Sequence, residues 1–149
     1  MRTISVEHST PASPEAVWSV LADGWAYPSW VVGASRMRAV EAGFPSPGTK
    51  LHHSVGNWPL LLDDETAVRD CEPGKSLRLE AKTRPFGTAI VAIRLIATPD
   101  GGTVISMEED AVSGPLAHTP KPARQVGIAA RNRETLRRLA LLAERADQA

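Results

Sequence analysis

The side chains of this sequence that could do chemistry fall in a few short segments: His52-His53, Asp63-Asp64-Glu65, Glu108-Glu109-Asp110, and the aromatic residues Tyr27, Trp30 and Trp58. Three of these segments alternate as strands do, so each side chain can be assigned a face. His53 shares a face with Leu51 and Val55, Asp64 with Thr66 and Val68, and Glu109 with Ile105 and Met107. Asn132 sits on the apolar stripe of a C-terminal helical segment, where a polar group needs a hydrogen-bonding partner. An imidazole, a carboxylate and an amide thus converge on an otherwise apolar space. Such a group would hold one polar end of a ligand. It could also move a proton at an activated carbon, through His53 or a carboxylate of raised pKa. Tyr27, Trp30 and Trp58 would offer flat surfaces with a polar edge at the entrance. Each residue also has a plain structural reading. Asp64, after a turn in an acidic patch, and Glu109, at a strand end, would simply meet water, His53 would have a structural role only, Trp30 and Trp58 would fill the core, and Asn132 would bond a nearby backbone group. Trp18, on the inner side of the first helix, is read as packing.

Other chemistries find no support. His52 and His53 point to opposite faces of one strand and cannot share a metal without distortion, and no other histidine or cysteine spacing forms a site. The expectation is no metal and no cofactor. No Gly-rich phosphate loop, no Gly-x-Ser-x-Gly elbow and no Cys–His pair is present. The single cysteine, Cys71, lies between Asp70 and Glu72, which would raise its thiol pKa. Seventeen basic residues balance seventeen acidic ones, so no overall field draws the chain to nucleic acid or anionic lipid. Arg124, Arg131, Arg138 and Arg145 recur every seven residues and read as the solvated face of the last helix. No stretch approaches the roughly 20 apolar residues of a membrane span, and the N-terminus does not follow the order of a signal peptide. A cytoplasmic protein without membrane insertion, folded as one domain over residues 1–149, is expected.

The elements that must position these residues follow from periodicity and turn chemistry. Residues 2–9 alternate as a strand. Ser13, Pro14 and Glu15 supply an N-cap, a first-turn proline and a first-turn acid for a helix that ends near Asp23-Gly24. A second helical piece over 25–33 carries Trp25, Tyr27 and Trp30. Strands are predicted near 35–41, 49–57, 60–71, 76–84, 88–98 and 102–110, divided by segments such as Glu72-Pro-Gly-Lys75 and Pro99-Asp-Gly-Gly102. After an irregular stretch from Ser113 to Pro122, a long helix runs to about Arg145, with Ala129, Asn132, Leu136, Leu139, Ala140 and Ala143 on its buried stripe. The pattern predicts an α+β protein in which a curved antiparallel β-sheet wraps around a long C-terminal α-helix and two short helices follow the first strand.

In this order of elements the chain resembles the SRPBCC (START-like) superfamily of helix-grip proteins, which includes lipid carriers and polyketide cyclases. The resemblance is carried by Ser13-Pro-Glu-Ala-Val-Trp18 leading into Val20-Leu-Ala-Asp23, by Tyr27-Pro-Ser-Trp30, and by Gly102-Thr-Val-Ile-Ser-Met-Glu108. Arg131-Asn-Arg-Glu-Thr-Leu-Arg-Arg-Leu139 is similar to the last helix of an actinobacterial subgroup described as polyketide cyclase or dehydratase-like. The resemblance implies a deep cavity between sheet and helix, occupied by a small hydrophobic, lipid- or polyketide-like molecule. An alternative is a cyclase or aromatase using His53, Tyr27 or Glu109 as acid or base. A third is an interaction module, with Leu141 and Leu142 on a contact surface that a homodimer or another protein would cover.

Overall fold

The computed structural model describes residues 3–56, 59–83 and 85–148. Seven strands form one antiparallel sheet in the order β1-β7-β6-β5-β4-β3-β2, so every neighbour except the β1–β7 pair is joined by a hairpin. The strands are β1 (Ser5–Thr10), β2 (Ala34–Val40), β3 (Lys50–Val55), β4 (Leu62–Glu72), β5 (Ser76–Thr83), β6 (Gly87–Ala97) and β7 (Thr103–Ser113). Helix α1 (Pro14–Leu21) and the single turn α2 (Tyr27–Trp30) lie between β1 and β2, and α3 (Lys121–Gln148) follows the sheet. This is the helix-grip arrangement.

Local chemistry accounts for the elements. Ser13 caps α1, its hydroxyl accepting from the Ala16 amide at 3.2 Å, and Pro14 occupies a first-turn position that has no amide hydrogen bond to lose. Along β7 the inward residues Thr103, Ile105, Met107, Glu109 and Ala111 are all buried, and β6 matches them with Ala89, Val91 and Ile93. Strict alternation thus presents one wall to the interior. The sequence placed the end of this strand at 110, but pairing continues to Ser113, because Ala111 keeps the inward phase against Ala89. The second helical piece is shorter than 25–33. It consists of a 3₁₀ turn at Gly24–Ala26 and then α2. Where β6 begins, Gly87 has φ +120° and a Cβ there would stand 1.9 Å from the Ser113 carbonyl oxygen, so this close approach requires glycine.

Helix α3 packs on β1, β7, α1 and α2. Its buried stripe is Ile128, Ala129, Asn132, Leu136, Leu139, Ala140 and Ala143, with Leu136 and Leu139 fully excluded from solvent. Side-chain bonds fasten it, several of them on the β1–β7 side. The Gln125 amide accepts from the Ile4 backbone amide at 2.8 Å and donates to the Glu109 carbonyl at 2.9 Å, so one residue ties helix, β1 and β7 together. Thr10 donates to Glu144 at 2.9 Å, and Arg124 forks onto Asp110 at 2.8 and 3.1 Å. The arginines spaced by seven are therefore not a uniform solvated face. Arg124 and Arg131 both turn toward β7 and pair with Asp110 and Glu109, a contact that helical spacing cannot reveal. Leu142 packs on the core, while Leu141 is exposed.

Because Leu136 has no solvent exposure, Leu136→Ala should cost about 2–5 kcal/mol of unfolding free energy in urea titration. Leu141→Ala on the outer face should stay within about 0.5 kcal/mol. Similar losses for the two would contradict this packing of α3.

Candidate functional site

Between α3 and strands β3 to β7 lies a cavity of about 660 Å³. Its walls are mostly aliphatic, with Leu79, Ala81, Val91, Ile93 and Met107 supplied by the inward faces of β5, β6 and β7. Its mouth is framed by residues 31–34, 59–62 and Pro85-Phe86, among which Leu60 is 81% and Phe86 59% exposed. On the α3 side, the Val32 amide donates to Thr135 Oγ1 at 3.3 Å, tying one lip of the mouth to the helix.

Polar side chains gather on the inner wall. Tyr27 and His53 stack with ring centroids 5.3 Å apart and planes at 25°, and Trp30 meets Tyr27 edge-on at 5.4 Å. Thr66 Oγ1 lies 3.2 Å from the Tyr27 hydroxyl and 2.9 Å from His53 Nε2, making a buried Tyr27–Thr66–His53 chain. His53 opposes Asp64 in register, which places Thr66 diagonally across from it on the same face. Arg131 of α3 pairs with Glu109 of β7, and both line the cavity. Asn132 lies beside them, facing inward and buried. Four polar atoms have no hydrogen-bond partner among the described residues: Trp30 Nε1, His53 Nδ1 and both Oδ1 and Nδ2 of Asn132.

The charges follow from this burial. Removal from water pushes the Tyr27 hydroxyl up to about 12, with Thr66 and Arg131 opposing and Glu109 reinforcing the shift. Burial lowers the His53 pKa below 6.5, only partly countered by the Asp64 carboxylate. Both groups are neutral at pH 7.

The candidate residues are distributed as follows. Trp30, His53, Tyr27, Glu109 and Asn132 line the cavity. Tyr27 and Trp30 are 5% and 2% exposed, so they form its interior wall rather than the entrance expected of them. Asp64 is buried but is not among the lining residues; it stands next to His53 with its carboxylate accepting from the Glu65 amide at 2.9 Å. Glu109 does not meet water at a strand end, because β7 continues past it. Trp58 lies outside the described residues. Among the described residues no group of three His, Cys, Asp or Glu side chains is placed to hold a metal. Sequence reasoning passed over Thr66, which shares the inward phase of Asp64, and Arg131, which precedes Asn132 on the helix. The first was legible from strand alternation, while the second needed the position of β7.

The sequence matches the family described as "Polyketide cyclase / dehydrase and lipid transport" over residues 1–144. The chain belongs to this family. Solved structures show the same fold at low identity. The protein of unknown function SA2116 from Staphylococcus aureus has a TM-score of 0.73 and 11% identity, covering 99% of this chain and 98% of its own. Ara h 8.0201 has a TM-score of 0.71 and 11% identity, covering 95% and 97%. The di-domain ARO/CYC StfQ from the steffimycin biosynthetic pathway has a TM-score of 0.73 and 14% identity, covering 98% of this chain and 51% of that one. No curated protein sequence matches the chain.

Since His53 has a lower pKa folded than unfolded, its unfolding takes up a proton as pH falls through the ordinary imidazole range. The stabilisation from holding it neutral is complete above about pH 6.5 and is lost below it. The expected outcome is a drop in the urea midpoint from about pH 7.5 to about pH 5.5 that is smaller in His53→Gln. Equal drops in the two proteins would mean that His53 charges freely in the folded state.

Proposed function

We propose that the protein binds a small hydrophobic molecule, lipid- or polyketide-like, in the cavity between the sheet and α3. The observation that carries this reading is the cavity itself. Its 660 Å³ falls within the roughly 300–1,000 Å³ of small-molecule sites, and its apolar walls meet a small set of buried polar groups at one side. Membership of a family that includes lipid transport agrees with it. Exposed Leu60 and Phe86 at the mouth give an apolar ligand a graded path out of water.

The test uses Nile red, an uncharged dye whose fluorescence rises in apolar surroundings, with native mass spectrometry of the gently purified protein to find any cargo. One dye should bind per chain. Ala81 faces the cavity from the middle of the sheet, paired with Thr66 and Ala89, so Ala81→Phe adds bulk to open space. That variant should weaken dye binding about tenfold or more without lowering the urea midpoint. Unchanged affinity would place the dye outside the cavity and defeat the proposal.

A second reading, a cyclase or aromatase, is favoured by the Tyr27–Thr66–His53 chain, in which a neutral imidazole belongs to the lining of a substrate-sized space and keeps one nitrogen unpaired among the described residues. A neutral imidazole is a competent base for carbon-bound protons next to carbonyls, and the tyrosine hydroxyl could return the proton. In that case His53→Leu should abolish cyclised product from a poly-β-ketone substrate while leaving Nile red binding in place. Retained product formation would remove His53 as the base.

A further inference from the structure

The ligand-binding reading leaves open which end group the cavity accepts, and its inner wall constrains the answer. Trp30, His53 and Asn132 are each at least nine-tenths buried, all line the cavity, and all carry polar atoms unpaired among the described residues. Buried polar atoms are ordinarily paired, and leaving them so destabilises the fold. Their positions are correlated. Trp30 and His53 flank Tyr27 at ring separations of 5.4 and 5.3 Å, and Asn132 lies one helical turn from Thr135, which is bonded to the segment just after α2.

The cationic side chains described at this wall are already committed to carboxylates. Arg131 is paired with Glu109, Tyr27 and His53 are neutral, and Lys82 at the mouth is held by Glu65 at 2.9 Å. The Asp64 carboxylate stands close enough to His53 to oppose its loss of charge, and it adds a negative field. Among the described residues at this inner wall, a ligand carboxylate would therefore be desolvated without an uncommitted cation to meet it. An uncharged oxygen meets what is present. Trp30 Nε1 donates, the Asn132 amide donates through Nδ2 and accepts through Oδ1, and His53 Nδ1 does either according to tautomer.

We infer that the cavity selects ligands whose inner end carries an uncharged carbonyl or hydroxyl, and that it discriminates against the carboxylate of the same shape. This rests on the ligand-binding reading above. Asn132 and Trp30 set the preference for an oxygen over a hydrocarbon, and the Glu109–Arg131 pair sets the preference against an anion.

The experiment measures displacement of Nile red from the full chain by three probes of nearly equal shape: 2-acetylnaphthalene, 2-naphthoate and 2-isopropylnaphthalene. The ketone should displace the dye at about tenfold lower concentration than either of the others. In Asn132→Leu its advantage over the hydrocarbon should vanish, and Trp30→Phe serves as the second variant if that protein does not fold. In Glu109→Gln the Arg131 cation is freed, and naphthoate should gain about tenfold relative to the ketone. Naphthoate binding as tightly as the ketone in the native protein, a ketone no better than the hydrocarbon, or an unchanged ratio in Glu109→Gln would overturn the inference while leaving ligand binding intact. Failure of Nile red and all three probes to bind would instead defeat the ligand-binding reading, and this inference with it.

Discussion

The structure depends on where α3 is fastened. Gln125 ties the helix to the Ile4 amide and the Glu109 carbonyl, Thr10 and Glu144 join its far end to β1, and Arg124 forks onto Asp110 of β7. These anchors lie along β1 and β7, one edge of the sheet, while on the opposite side the helix is held by the Val32–Thr135 bond ahead of β2. An antiparallel sheet twists, so a helix seated on one edge diverges from the strands that curl away from it. The inward side chains of β5 and β6 include Leu77, Leu79, Ala81, Ala89, Val91 and Ile93, with the smallest of them near the β5–β6 turn. Small residues where the gap is widest leave it open, and the cavity is the geometric remainder of edge anchoring.

That origin explains which parts were legible in the sequence. Strand phase is a local property, and alternation alone gave the inward faces of His53, Glu109 and Thr66. The capped start of α1 and the buried stripe of α3 are also local, fixed by Ser13-Pro14 and by 3.6-residue periodicity. The ion pairs are not local. Arg131 and Glu109 are 22 residues apart, and their meeting depends on the rotation of α3 about its axis. A repeat of seven along a helix says that arginines share a stripe, but not which element lies beneath it. The same limit applies to Tyr27 and Trp30. Their short helical turn was visible from Tyr27-Pro-Ser-Trp30, but its burial under the lip formed by residues 31–34 is set by the Val32–Thr135 bond across 103 residues.

The burial of Glu109 against a partly exposed Arg131 bears on what such a pair does in a ligand cavity. Removing one partner of a buried pair leaves an uncompensated charge, whereas the intact pair contributes little net stability. The Arg131 side chain remains 36% exposed and that of Glu109 only 5%, so a partly solvated cation cancels a buried carboxylate. The pair therefore sets the local potential more than it stabilises the fold. It cancels the Glu109 charge at this wall and leaves the negative field of Asp64 there, a balance that a lone glutamate or a lone arginine at either position would change.

Paired charge and unpaired polarity together are an unusual combination for a core. A protein selected for stability alone would replace Asn132 with leucine, since the amide has both atoms unpaired among the described residues on a helix whose neighbours are Ala129 and Leu136. Each such atom left unpaired costs about 1–3 kcal/mol, so Asn132, Trp30 and His53 together hold the fold below the stability its packing would otherwise reach. Strain or cost concentrated at one wall of a cavity is what a preorganised recognition surface looks like, because groups held in place before a ligand arrives lose little further freedom on binding. The stacked Tyr27–His53 pair and the Thr66 hydroxyl fix the orientation of the imidazole.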